Sequence, residues 1–211
     1  MSGNVKKEFG DYQTPLDFCY RVCNYIKESR LAEDAAAIIE PTCGVGNFLL
    51  AASNTFACSK LIGIEVNAKR ADAARIEVPS ATIETNDIFN VSTKTLCGED
   101  CVLVIGNPPW ATNSELSFNL PPKTNFKGLR GIEAITGSSN FDICEYIILK
   151  LIGEYKHTNS TICMLCKTSV ARNVVSELSR NHIAYQKVEM LNFNSSKIFG
   201  ISCLLYTSPS P

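Results

Sequence analysis

Asn107, Pro108, Pro109 and Trp110 follow directly on an apolar run, in the stretch "VIGNPPW". The tryptophan is the protein's single one. A packed core does not need that order of residues. Asn107 offers a side-chain carbonyl and Pro108 a backbone carbonyl as hydrogen-bond acceptors. Two prolines stiffen the turn, so such acceptors are fixed before a ligand arrives. Trp110 offers a face on which a flat ring can stack. The set suits a strand end that holds a flat polar molecule. The alternative is a proline turn with a core tryptophan.

A second group of residues stands at the ends of three earlier apolar runs. The first run, "AAIIEP", passes into "TCGVGNF", where Gly44 and Gly46 allow a tight turn and close backbone approach to a ligand. A dinucleotide fingerprint needs a third small residue at position 49, and Leu49 stands there, which argues against NAD or FAD. The second run ends in Glu65, whose carboxylate can accept both hydroxyls of a ribose. The third ends in "NDIF", where Asp87 can accept from an adenine amino group while Ile88 or Phe89 packs on the ring. Each acid taken singly also reads as a cap of the helix after it.

The elements that must position these residues alternate. Residues 16–30 carry Phe18, Val22, Cys23 and Ile26 at helical spacing. Strands are expected at 36–41, 60–66, 81–87 and 101–106, with helices from "NFLLAASNTF" and "NAKRADAARIEV" between the first three. Residues 111–140 are polar and rich in Asn, Ser, Gly and Pro, a long loop of the kind tied to function. Then come a helix in "FDICEYIILKLIGEY", a strand in "STICMLCK" and a helix in "SVARNVVSELSRN". A strand in "AYQKVEMLNF" and a further one in "FGISCLLY" close the pattern. Uniformly apolar strands alternating with helices predict a parallel sheet covered on both faces, with ligands at the carboxyl ends near the topological switch point.

The chain has 211 residues, 45% of them hydrophobic, which fits one domain with a sizeable core. Its net charge of -1 neither advertises a nucleic-acid surface nor excludes a local one. No signal-peptide core and no membrane-length apolar run is visible, so the expectation is a cytoplasmic protein without a membrane partner. Most of the ten cysteines sit in apolar segments, where a free thiol behaves as a small hydrophobe. "CMLC" has no second pair, and neither a metal site nor a disulfide scaffold is expected.

The motifs "IIEPTCGVGNFL", "IGIEVN", "NDIF" and "VIGNPPW" occur in the order and spacing of the S-adenosylmethionine-dependent amino-methyltransferases. The chain resembles the adenine-N6 DNA methyltransferases of restriction–modification systems over nearly all of residues 8–205. The resemblance implies a Rossmann-like α/β fold with a mostly parallel seven-stranded sheet, the last strand incomplete, and S-adenosylmethionine as cofactor. "EFGDYQTP" is similar to the family's N-terminal segment that closes over the methionine end of the cofactor, which implicates Gln13, Thr14 and Pro15. Glu40, Pro41, Gly44, Gly46, Glu65, Val66, Asp87, Ile88 and Asn107 complete the implied cofactor site. Residues 1–35 then form the closing segment and first helix, and 36–205 the catalytic domain.

The same resemblance implies an adenine amino group as nucleophile and DNA as partner. That nitrogen is nearly planar, its lone pair delocalised into the ring. Two acceptors gripping its N–H groups, Asn107 and Pro108, would favour a pyramidal, electron-rich nitrogen. Pro109 and Trp110 belong to the same turn, Trp110 stacking on a base flipped from the duplex. "SSKIFG" implies Phe199 as the second face of that sandwich. Lys123, Lys127 and Arg130, without an intervening acid, could lie along a phosphate backbone, a solvated loop being the alternative.

Glutamine methyltransferases of release factors and guanine methyltransferases of ribosomal RNA share an NPP turn, and an inactive cofactor-binding fragment is the non-enzymatic alternative. The tail 206–211 reads as non-native and the chain as cut short. A target-recognition domain or restriction subunit is then expected to be separate or missing.

Overall fold

A computed structural model describes residues 13–57, 60–110 and 142–199. Helix α1 (Leu16–Glu28) leads into strand β1 (Ala37–Glu40), helix α2 (Asn47–Thr55), strand β2 (Lys60–Glu65), helix α3 (Ala68–Glu77) and strand β3 (Thr82–Thr85). A 3-10 turn at Ile88–Asn90 and a short helix α4 (Thr93–Cys97) precede strand β4 (Val102–Gly106). Helix α5 (Ile143–Tyr155), strand β5 (Thr161–Met164), helix α6 (Thr168–Arg180) and the short α7 (Ser195–Phe199) follow.

The strands form one sheet in the order β3-β2-β1-β4-β5, and every pairing is parallel. Strand β1 pairs with β2 on one side and β4 on the other, so the order reverses between β1 and β4. A crevice opens at such a reversal because the helices on the two sides leave in opposite directions.

Buried central strands must feed both faces, and neighbouring residues do so alternately. Ile38, Leu103 and Ile105 pack on the face covered by α1, α2 and α3, with Phe18, Cys23, Ile26, Phe48 and Leu49. Ala37, Ile39, Ile62, Ile64, Val102 and Val104 face the other way, onto Ile147, Leu151 and Tyr155 of α5. Each such fully buried Ile, Leu or Phe contributes about 1.5–3 kcal/mol. Gly63 lets α2 settle on β2, since a Cβ there would lie 2.8 Å from Cys43 Sγ and from Leu49 Cδ1.

Two expectations need correction. The sheet has five strands among the described residues, not seven. Residues 184–193, expected as a strand, form none, and Tyr185, Val188, Met190 and Leu191 are exposed. Their alternation suits a strand, but a strand exists only with a paired neighbour, and no described residue pairs with them. Phe199, expected to open a further strand, ends α7, and residues 200–211 lie outside the described residues. Helix α4 escaped the sequence reading because five residues carry no period. It is held by caps instead: Ser92 Oγ accepts from Thr95 N, and Glu154 of α5 accepts from Thr93 N and Lys94 N.

Candidate active site at the switch point

A small cleft lies at the carboxyl ends of β1 and β4. Gln13, Thr14, Glu40, Thr42, Gly44 and Asn107 are among its lining residues. Three segments far apart in sequence thus meet at the sheet's reversal, where ligands of doubly wound folds bind.

The glycine turn forms the floor. Gly44 and Gly46 have φ of 54° and 91°, a left-handed backbone that side chains disfavour. Gly46 is the N-cap of α2 and packs against α3, where a Cβ would lie 3.3 Å from Ala74 Cβ and Val78 Cγ2. The turn is held by Cys43 N–H donating to Ile64 O at 2.8 Å and Gly44 N–H donating to Glu65 Oε2 at 2.9 Å.

The N-terminal segment lies across this turn. Gln13 Oε1 accepts from Val45 N at 3.1 Å, and Asn47 Nδ2 donates to Thr14 O at 2.8 Å. Pro15 then begins α1, its carbonyl accepting from the N–H groups of Phe18 and Cys19.

Two buried carboxyl groups set the electrostatics. Burial pushes the Glu40 carboxyl well above its ordinary value; the Leu49 N–H opposes this and the nearby Glu65 charge adds to it. Glu40 Oε2 accepts from Leu49 N at 3.3 Å. Burial also raises Glu65, against hydrogen bonds from the N–H groups of Asn67, Gly44 and Val66. Glu65 Oε1 accepts from Asn67 N at 2.8 Å, and Asn67, not Glu65, caps α3.

The other expected residues are distributed around the cleft. Glu65 ends β2 and the exposed Val66 follows it, both outside the cleft lining. Asp87 caps the 3-10 turn, Oδ1 accepting from Phe89 N at 2.9 Å. Ile88 is buried in the core with Ile62 and Ile64, and Phe89 is half-buried against the same cluster. Pro41 and Pro108 are buried and Pro109 is half-buried. Trp110 is half-buried, and its Nε1–H donates to Leu165 O at 3.3 Å. Phe199 meets Trp110 edge to face rather than across a parallel-walled slot, with centroids 5.5 Å apart and planes at 79°. Lys123, Lys127 and Arg130 lie outside the described residues.

Thr42, Cys43, Asn47 and Phe48 also line the cleft, and sequence reasoning named none of them as site residues. Asn47 had a visible signal, standing in the glycine turn at a helix start, but that position usually reads as a cap. Thr42 Oγ1 is buried without a hydrogen bond among the described residues, which no spacing rule reveals. Among the described residues, no group of three or more His, Cys, Asp or Glu is placed to hold a metal. No described helix is long and apolar enough to cross a membrane.

Parallel order, glycine turn and strand-end acids together make this the Rossmann-like fold of S-adenosylmethionine-dependent methyltransferases. The methyltransferase subunit of a type I restriction-modification system from Streptococcus thermophilus shares it, with a TM-score of 0.55 at 15% identity, over 85% of this chain and 44% of that one. In sequence the chain is a homologue of two type II methyltransferases. It is 38% identical to M.NspV of Nostoc sp., over 94% of this chain and 43% of that protein. It is 29% identical to M.CvrRI of Paramecium bursaria Chlorella virus XZ-6E, over 81% of this chain and 39% of that protein. The chain therefore spans less than half the length of these relatives. No family model matches it.

Proposed function

We propose that this chain is the catalytic portion of an S-adenosylmethionine-dependent DNA methyltransferase acting on the N6 amino group of adenine. The observation that carries the reading is Asn107 lining the same cleft as Glu40, Gly44 and the Gln13–Thr14 segment. A group that accepts an amine thereby stands beside one that holds a cationic cofactor.

The residues fit the amino-acid end of that cofactor. Glu40 is a buried acid for an ammonium group, and Thr42 Oγ1 is a buried hydroxyl with no hydrogen bond among the described residues. The nucleoside end would then extend over Glu65 and Val66, with Asp87 beyond. The cofactor supplies a methyl group on a positively charged sulfur.

Asn107 Oδ1 and Pro108 O accept from the two N–H groups of the incoming amine, which raises electron density on its nitrogen. When bound, the cofactor would supply its methyl group to the nitrogen that Asn107 and Pro108 position, the sulfur keeping the electron pair of the S–C bond that breaks. The extra proton on nitrogen passes to water afterwards, so no strong base is required. Trp110 holds the ring of the base, and Pro109 stiffens the turn beneath it. Similarity to two type II methyltransferases favours DNA over the protein and RNA substrates that share an NPP turn.

The deciding experiment is tritiated methyl transfer from S-adenosylmethionine to DNA, RNA and protein in parallel, using the full-length enzyme. Mass spectrometry should find N6-methyladenine in DNA. Label in protein glutamine or RNA guanine, or on cytosine in DNA, would sink the reading.

A further inference from the structure

The turn that ends at Trp110 is the start of a row of rings. Phe199, edge to face with Trp110, meets Phe193 with centroids 6.3 Å apart and planes at 65°. Phe193 meets Phe18 of α1 at 5.2 Å and 51°. Arg21 closes the row, its guanidinium carbon 5.0 Å from the centroid of the Phe18 ring. These are tilted and edge-to-face contacts of the separations aromatic pairs favour.

Phe18 and Trp110 do not line the cleft, but each lies a few residues along the chain from residues that do. Phe18 stands in the first turn of α1, its N–H bonded to Pro15 O at 3.0 Å. Gln13 and Thr14, just before, line the cleft. At the other end, Trp110 stands three residues beyond Asn107, which lines the same cleft. Phe193, its ring half-buried, joins Phe199 to Phe18.

We propose that Phe193 is a positioning residue that couples the Trp110–Phe199 pair to the cofactor cleft. The inference rests on the methyltransferase reading above. Planes at 79° leave no parallel-walled slot, so a flat base enters between Trp110 and Phe199 only when the two rings separate. Close-packed rings do not deform continuously, and a displacement of one is passed to the next. A shift of Phe199 therefore presses through Phe193 on Phe18, and so on the helix that Gln13 and Thr14 lead into. Run in reverse, filling the cleft settles that segment and sets the geometry of the ring pair.

The single tryptophan makes Trp110 the sole indole reporter. S-adenosylhomocysteine is the probe, with binding followed by calorimetry and Trp110 by emission and acrylamide quenching. In the wild-type chain, binding should shift both emission and quenching. Phe193→Tyr, which keeps the ring, should retain the shift. Phe193→Leu should bind the probe yet lose the shift, and Phe193→Met serves the same comparison where the leucine variant does not fold. A shift that persists without the ring is carried by Asn107 and its turn alone and overturns the coupling, as does a wild-type chain that binds the probe with unchanged emission. Those two results leave the methyltransferase reading standing. A wild-type chain that does not bind S-adenosylhomocysteine at all overturns both.

Discussion

Gly44 N–H donates to Glu65 Oε2 at 2.9 Å, so the turn after β1 is tied to the last residue of β2. The same carboxylate, through Oε1, holds Asn67 N at the start of α3. Glu65 is thus built into the loop it would use to hold a ribose. Its removal should act twice: the glycine turn loosens, and a charged acceptor is lost. Hydrogen bonds to a charged group are worth about 1.5–3 kcal/mol. Calorimetry should show Glu65→Ala weakening S-adenosylmethionine by that amount. Unchanged affinity would take this acid out of the site.

Asn107 should separate binding from chemistry. It borders the cofactor cleft, but its proposed work is on the target amine. In the full-length enzyme, Asn107→Ala should still bind S-adenosylmethionine while methyl transfer falls by about 100-fold or more, the usual cost of removing one polarising partner. Single-turnover transfer with labelled cofactor is the measurement. Near wild-type turnover would refute the proposed role.

Glu40 should make both stability and binding depend on pH. Burial raises its carboxyl above the ordinary value of 4.5, so the folded chain holds this proton more tightly than the unfolded chain does. The resulting stabilisation is complete below the unfolded value and is lost as pH rises through the folded one. Glu40→Gln cannot ionise and should gain on the wild type as pH climbs through that window. Urea unfolding of both proteins across a pH series tests the sign.

A cationic cofactor reverses the bias on Glu40. An ammonium group beside the carboxyl favours its charged form, so binding below the raised value should release a proton. Calorimetry of S-adenosylmethionine in buffers of different ionisation enthalpy should show that release for the wild type and not for Glu40→Gln. Equal proton release by both would place the ammonium group elsewhere.

Trp110 is both packed and proposed to bind. It touches Phe199 on one side and the cluster of Cys144, Ile148 and Val170 on another. Trp110→Phe loses the bond to Leu165 O, worth about 0.5–1.5 kcal/mol of stability, and should keep most methyl transfer. Trp110→Ala should lose a stacking contact of about 1–3 kcal/mol per base, read as weaker binding of an adenine-containing oligonucleotide. Equal oligonucleotide affinity in all three would leave Trp110 a packing residue only.

Short-range chemistry was legible in the sequence. Uniformly apolar runs such as "AAII" and "VLVIG" announced buried parallel strands, because a strand covered on both faces has no polar side to alternate with. Gly44 and Gly46 announced the left-handed turn they make, and the acids at the strand ends announced the sheet's carboxyl edge. What lay beyond reach depends on partners distant in the chain. Residues 184–193 have the alternation of a strand and form none, since alternation describes one strand and a ladder needs two. Ile88 and Phe89 were both candidates to pack on a ring, and only the fold places Ile88 in the core and Phe89 at its edge. The burial of Glu40, the clamp from Asn47 to Thr14 and the row from Trp110 to Phe18 are likewise tertiary facts. Each joins segments that no local rule relates, and only the reversal of strand order between β1 and β4 brings their ends to one place.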